Sequence, residues 1–396
     1  MNRIPLACAV FLSLAIFGQG FSLAQTRPSD APTTRHVMLA MSPAKLTDWQ
    51  TRWEKSIRNE ARNRYCDKEL GEETGWLMSP LMNGFYYGYM STKDTQWIDM
   101  LVDWTDSWIK RETIEPDGYP GWPKLGAAGT DVDKLNDFNA DSLLGDAMVL
   151  RPVVMMSDRI LKTPALKEKY GDKATGYIQL AETIFEKWDK RGAWRDTEGG
   201  GNITIVLPYG FDPATGKWTA GYDKRNSPDI GFSHPNNKAN LVAQWLLAMS
   251  DATQKPIYKT RAEKWFKLMK SRMKLKADGT YEIWNYWQPA GPWDLQPDGS
   301  TKHWVGVHPN GGYYEIDAGG IVAAYEHGLI FDKTDLAHLI ATAKSEKRYW
   351  TALAPYDDDI QKDFETTTNP DGWGGLTDVP WYLSLQVALS QPPGNR

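Results

Sequence analysis

Cysteine is almost missing from this chain, at two residues in 396. Cys8 falls in the opening segment "MNRIPLACAVFLSLAIFGQGFSLAQ". A basic start at Arg3, an apolar run and a small-residue ending at Ser22, Leu23 and Ala24 mark that segment as a secretory leader over residues 1–24. A periplasmic or secreted protein is expected, with residues 25–396 as a single domain. Cys66 then has no intramolecular partner, so no disulfide framework holds the mature chain and its stability must come from a core. Cys66 itself is expected to be buried packing rather than a nucleophile. No apolar run beyond the leader approaches the length of a membrane span, so no membrane association is expected.

Other absences narrow the function. Formal net charge is −5, so no global basic field draws in nucleic acid, and an anionic ligand would have to meet a local cluster. There is no GxGxxG, P-loop, HExxH or paired CxxC, and neither cofactor nor metal is expected. The segment "DVDKLND" (131–137) has calcium-loop spacing, but Leu135 stands at a ligand position and the glycine is missing, so it reads as a turn. "DDD" at 357–359 reads as a solvated helix start. A monomer is expected.

Aromatic residues are abundant instead: 19 Trp, 18 Tyr and 11 Phe, with 24% charged residues. Trp and Tyr suit surfaces that are half apolar and half wet, and sugar rings present such a surface. Most of these aromatics belong in a core, and the rest point to a carbohydrate cleft.

Apolar periodicity predicts mainly helices. Ser42 followed by Pro43 opens one with a cap and a first-turn proline. Trp97, Met100, Leu101, Trp104 and Trp108 share a helical face, and "NADSLLGDAMVLRPVVMMSDRIL" is apolar enough for an inner helix, with a kink expected at Pro152. Further helices are expected near 165–190, 236–250, 254–274, 314–329, 333–350 and 378–390, and a strand only at 202–211. So many amphipathic helices must close on one another to hide their apolar faces. The expected fold is all-α: an (α/α) toroid of about six to seven helical hairpins, with long cleft-forming loops at 112–138, 191–235 and 276–313.

Three constellations carry polar chemistry. His234 in "SHPNNKAN" precedes a helix start beside Asn236, Asn237, Lys238 and Asn240, where the helix dipole keeps an imidazole neutral. The Gly-rich "HWVGVHPNGGYYEIDAGG" (303–320) gathers His303, His308, Tyr313, Tyr314, Glu315 and Asp317. Asn139 opens an inner helix beside Asp137 and Asp141. Asn, His, Tyr and Arg are what β-elimination of a uronic acid needs: neutralisers for the carboxylate, and a base for the proton beside it. Arg225, with Lys224 and Lys238, would supply local positive charge, and Trp284, Trp287 and Trp304 would stack on neighbouring sugars.

The order Asn, then His at a helix start, then Tyr in a late loop resembles toroidal polysaccharide lyases acting on alginate, glucuronan or related polyuronates. That resemblance implies an anionic polysaccharide substrate, with Asn139 (or Asn236) and His234 as neutralisers and Tyr314 or Tyr313 as base and acid. The family's arginine has no clear match; Arg225 precedes His234, and His308 stands in that place instead. An inverting glycoside hydrolase on the same toroid is the alternative, with a carboxylate pair drawn from Glu282, Asp294, Glu315, Asp317 and Asp378. A uronate epimerase and a non-enzymatic glycan-binding protein complete the expectations.

Overall fold

Ser42 opens the first helix as expected: its hydroxyl accepts the Lys45 N–H at 3.4 Å, and Pro43 takes the first position. The computed structural model describes residues 38–115, 117–125, 139–204, 211–212, 217–218 and 232–390, all within one compact unit, Thr34–Arg396. The leader at 1–24, the 131–137 turn, Asp137, Lys224 and Arg225 lie outside those residues. So does the side chain of Asn139, whose backbone pairs with Leu125 in a two-residue ladder.

The described helices are α1 (Pro43–Glu60), α2 (Gly71–Thr92), α3 (Gln96–Ile109), α4 (Leu143–Leu161), α5 (Pro164–Lys190), α6 (Asn236–Thr253), α7 (Pro256–Ser271), α8 (Gly312–Glu326), α9 (Lys333–Ser345), α10 (Asp358–Thr367) and α11 (Gly375–Ser390). Connections alternate in length. Those leaving α2, α4 and α6 span only residues 93–95, 162–163 and 254–255, whereas 61–70, 110–142, 191–235 and 272–311 lead into α2, α4, α6 and α8.

That alternation builds a ring. α2 packs on α4, α4 on α6 and α6 on α8, while α11 closes back onto α2. A 3₁₀ segment, Thr351–Tyr356, packs on α8 and α10 and fills the remaining inner place. The fold is the (α/α) toroid that the sequence predicts, and its strands are short hairpins such as Trp194–Thr197 with Gly200–Ile203.

Inner and outer helices differ in how they bury their surface. On outer α3, Trp97, Leu101, Trp104 and Trp108 point inward as one stripe. Inner α4 is buried nearly all round, from Leu143 to Ile160. Close packing of the inner ring requires glycine: a Cβ at Gly145 would meet the Gly71 carbonyl oxygen at 2.4 Å, and one at Gly84 the Leu376 carbonyl at 2.6 Å. Cys66 is buried, and burial pushes its thiol up to about 12, so it packs rather than reacts. Because inner helices run parallel, their N-termini and the long loops share one end of the toroid, and the polar residues gather there.

Candidate active site

Burial separates the five candidate carboxylates. Glu282 is exposed. Asp294 is fully buried and saturated by the Ser233 N–H at 2.8 Å, the Ser233 hydroxyl at 2.7 Å and the Ala290 N–H at 2.7 Å, so it pins one loop to another. Asp317 lies in a buried chain: Trp284 Nε1 donates to it at 2.8 Å and Asn240 Nδ2 at 2.7 Å, while Asn240 Oδ1 accepts from Trp265 Nε1. Those bonds tie α6, α7 and α8 together, which is structural work.

Glu315 and Asp378 remain. Each sits in the first turn of an inner helix, α8 and α11, and each keeps part of its surface open. Glu315 Oε1 accepts the Thr351 N–H at 2.6 Å. No hydrogen bond or ion pair engages the Asp378 carboxyl among the described residues. A helix N-terminus stabilises a carboxylate by ~0.3–1 kcal/mol, yet burial wins at both positions. It raises Asp378 to about 7; burial, with the Asp378 charge adding to it, raises Glu315 to about 7. Two carboxyl groups that resist ionising together supply one acid and one base near neutrality.

An aromatic surface stands beside this pair on the 272–311 loop. Trp304 is 45% exposed and stacks on Tyr286 at 5.9 Å and 19°. Tyr286 stacks on Tyr313 at 5.1 Å, and the His308 ring packs against Tyr313 at 4.6 Å. Trp304, Tyr313 and His308 are thus brought together around Tyr286. Trp284 and Trp287 are not: both are buried, and Trp287 spends its indole N–H on the Ser233 carbonyl.

Tyr314, Asn236 and Lys238 are engaged in structure. Tyr314 is 0% exposed, its hydroxyl accepts the His308 N–H at 2.7 Å, and burial raises its pKa where a catalytic base needs it lowered. Asn236 holds the loop with all its groups: its N–H donates to Tyr286 O, its Nδ2 to Asn285 O, and its Oδ1 accepts from Arg272 at 3.0 Å. Lys238 is paired with Glu72 at 2.8 Å. His234 is buried beside Asn236 with its Nδ1 unpartnered, and burial, helped by the Lys238 charge rather than the helix start, pushes it down to about 3, so the ring is neutral. Changing Tyr314 to Phe removes the acceptor for a backbone N–H, worth ~1–2 kcal/mol. The expected outcome is a lower melting temperature and a raised KM with kcat largely kept; abolished kcat in a folded variant would return Tyr314 to the chemistry.

Sequence reading missed a charged cluster at the start of α4. Lys187, fully buried, bonds Asp146 at 2.9 Å and Asp141, and lies 3.8 Å from Glu115. Arg191 adds a bond to Glu115 at 3.2 Å. Burial and the neighbouring Asp141 raise Glu115, whereas Lys187 holds Asp141 low against its own burial. The cluster anchors the α3–α4 loop. Its one sequence signal is a lysine on the apolar face of α5.

No protein-family model matches the chain, and no curated protein matches it either. Solved structures do. A family 76 glycoside hydrolase (mannosidase) of Bacteroides thetaiotaomicron VPI-5482 superposes with a TM-score of 0.50 at 11% identity, covering 87% of this chain and 100% of that one. The GH76A α-1,6-mannanase of a Salegentibacter species gives 0.48 at 12% identity over 87% and 100%. A cellobiose 2-epimerase of Bacillus thermoamylovorans gives 0.48 at 11% identity over 86% and 87%. The Bacteroides likeness shows the toroid fold. That neighbour is a glycoside hydrolase and not a polysaccharide lyase, which corrects the expected polyuronate lyase and its alginate or glucuronan substrate. Of the residues expected to carry the elimination, Tyr314 is sealed, Asn236 and Lys238 are already bonded, and Tyr313 stays partly open.

Proposed function

We propose that this protein is a glycoside hydrolase that holds a glycan across the open end of the toroid and cleaves it with Glu315 and Asp378. The observation carrying this reading is the pair itself: two partly open, mutually repelling carboxyl groups in the first turns of α8 and α11, beside the exposed Trp304–Tyr286–Tyr313 surface. One carboxyl group, held protonated, gives its proton to the leaving glycosidic oxygen. The other, ionised, activates water or attacks the sugar carbon. The aromatic faces orient the sugar rings, and partial burial of both carboxyls keeps their protonation poised near neutrality. The Bacteroides mannosidase shares the architecture, which supports hydrolysis as a use of this fold. Export, as the leader implies, would place the reaction outside the cytoplasm.

The test is release of reducing ends from a panel of glycans that includes α-1,6-mannan, with product anomers followed by proton NMR. Accumulating reducing ends establish a hydrolase, and the first anomer seen tells inversion from retention. Sugar isomerisation without chain scission would point to epimerase chemistry instead. No change in any glycan would overturn the enzymatic reading.

A further inference from the structure

Arg348 is a cation without a counterpart. It sits in the turn between α9 and the 3₁₀ segment, half-buried, with its guanidinium carbon 5.5 Å from the centre of the Tyr314 ring. One guanidinium nitrogen is shut off from solvent and has no acceptor. No ion pair or side-chain hydrogen bond engages Arg348 among the described residues. Arg191 and Arg261 also carry one unbonded buried nitrogen, but carboxylates hold each of them elsewhere, Asp117 and Glu115 for the first and Asp189 for the second. A half-buried guanidinium without an anionic partner is favoured by an acceptor that reaches its remaining, open nitrogens.

The surroundings show where that acceptor would sit. That buried nitrogen lies 3.9 Å from where a Cβ of Gly311 would stand, which sets the guanidinium against the exposed turn that opens α8 and leaves its remaining nitrogens toward the solvent. Gly311 directly precedes α8, whose first turn carries Glu315. His308 is on the same loop, tied to the Tyr314 hydroxyl that Arg348 overlies. Its Nδ1 accepts the Asn310 N–H at 3.0 Å, so the neutral ring carries its proton on Nε2 and offers a second donor. An arginine, with a histidine N–H on the loop that leads into the same helix, suits an oxyanion with several acceptor oxygens.

We propose that Arg348 binds an anionic substituent of the glycan, a carboxylate or a sulfate ester, on the sugar beside the Glu315–Asp378 pair. This rests on reading the open end of the toroid as a glycan cleft. The substituent meets the open nitrogens of a guanidinium that is already half-buried, so little of its hydration remains to be lost on binding. A neutral sugar at the same place leaves those nitrogens unpaired and binds more weakly.

The test is calorimetry on the full chain with matched oligosaccharides: uronate-containing ones against their carboxyl-reduced forms, and sulfated ones against their desulfated forms. Wild type is expected to bind the acidic member of at least one pair about tenfold more tightly, and which pair responds identifies the substituent. Arg348→Gln should erase that preference, so that the acidic and neutral members of the pair bind alike, and Arg348→Lys should keep part of it. No preference in any pair, or a preference that survives Arg348→Gln, overturns the assignment. Binding is read without turnover, so a chain that cleaves nothing yet prefers acidic sugars loses the hydrolase reading and keeps this one. A chain that cleaves only neutral glycans, without an acidic preference, does the reverse.

Discussion

Replacing Glu315 by Gln, or Asp378 by Asn, is expected to lower reducing-end release by roughly 10²- to 10⁴-fold, the range for losing a general acid or base, with the fold intact. The Asp378→Asn variant carries a second signature. Burial and the Asp378 charge both raise Glu315, so removing that charge should lower the Glu315 pKa, which carbon-13 NMR of labelled carboxyls can follow. Stability should move the other way from activity. Asp378 titrates near 7 when folded and at 3.8 by its ordinary value. Between roughly pH 4 and 7 the fold therefore keeps a proton that the unfolded chain has released. Stability contributed here falls as pH rises through that window, and the deficit is complete above it. Asp378→Asn removes the deficit: it should melt above wild type at pH 8, by on the order of 2 °C, and level with it at pH 4. Full activity in either variant would remove the pair from the chemistry, and an equal melting difference at both pH values would show that Asp378 is well solvated.

Lys187→Met is expected to be the most damaging single change to the fold. The variant leaves Glu115, Asp141 and Asp146 around a buried site without their lysine. Breaking a buried pair by removing one partner costs ~3–5 kcal/mol, a large part of a typical folding free energy. The deficit should depend on pH in a defined direction. Without the cation all three carboxyls are raised in the fold, so protonation at acid pH relieves the repulsion and the loss shrinks as pH falls. Urea midpoints at pH 5 and pH 8 measure this. A deficit equal at both would mean that Lys187 acts through packing of its hydrocarbon stem.

How far the sequence could be read follows from which surfaces a residue faces. Outer helices announce themselves because one side meets water: the Trp97–Leu101–Trp104–Trp108 stripe is the buried face of α3. α2 escapes that reading. Its segment "GEETGWLMSPLMNGFYYGYMST" holds Gly75, Gly84, Gly88 and Pro80, residues that disfavour a helix in isolation. Packing against α4 and α11 overrides propensity there, and the glycines are what let the backbones approach. Pro152 sits within α4 without ending it.

The site was legible in residue type and location but not in role. The "HPNGGYY" loop does reach the open end, yet its two adjacent tyrosines separate: Tyr313 joins the exposed stack and Tyr314 turns inward to hold the loop. Glu315 and Asp378 stood among five acidic candidates, and only burial and bonding distinguish them from Asp294 and Asp317. Three tryptophans looked alike in sequence, and solvent reaches Trp304 alone. Arg348, 34 residues beyond Tyr314 in the chain, had no local mark at all, because its neighbourhood is made by the fold.

Closure of the ring has a bearing on how the chain acquires its shape during synthesis. The backbone of Leu39 and Met41, just ahead of α1, is held by Gln386 on α11, and Gln361 on α10 bonds Leu39 as well. Trp53 on α1 gives its indole N–H to the Leu376 carbonyl. Residues made first are thus fastened by residues made more than 300 positions later. Without α11, α2 has an apolar flank with nothing against it, and α4, α6 and α8 make only an open arc. The last helix therefore closes the ring as a clasp, and a chain cut short before it would leave the toroid open.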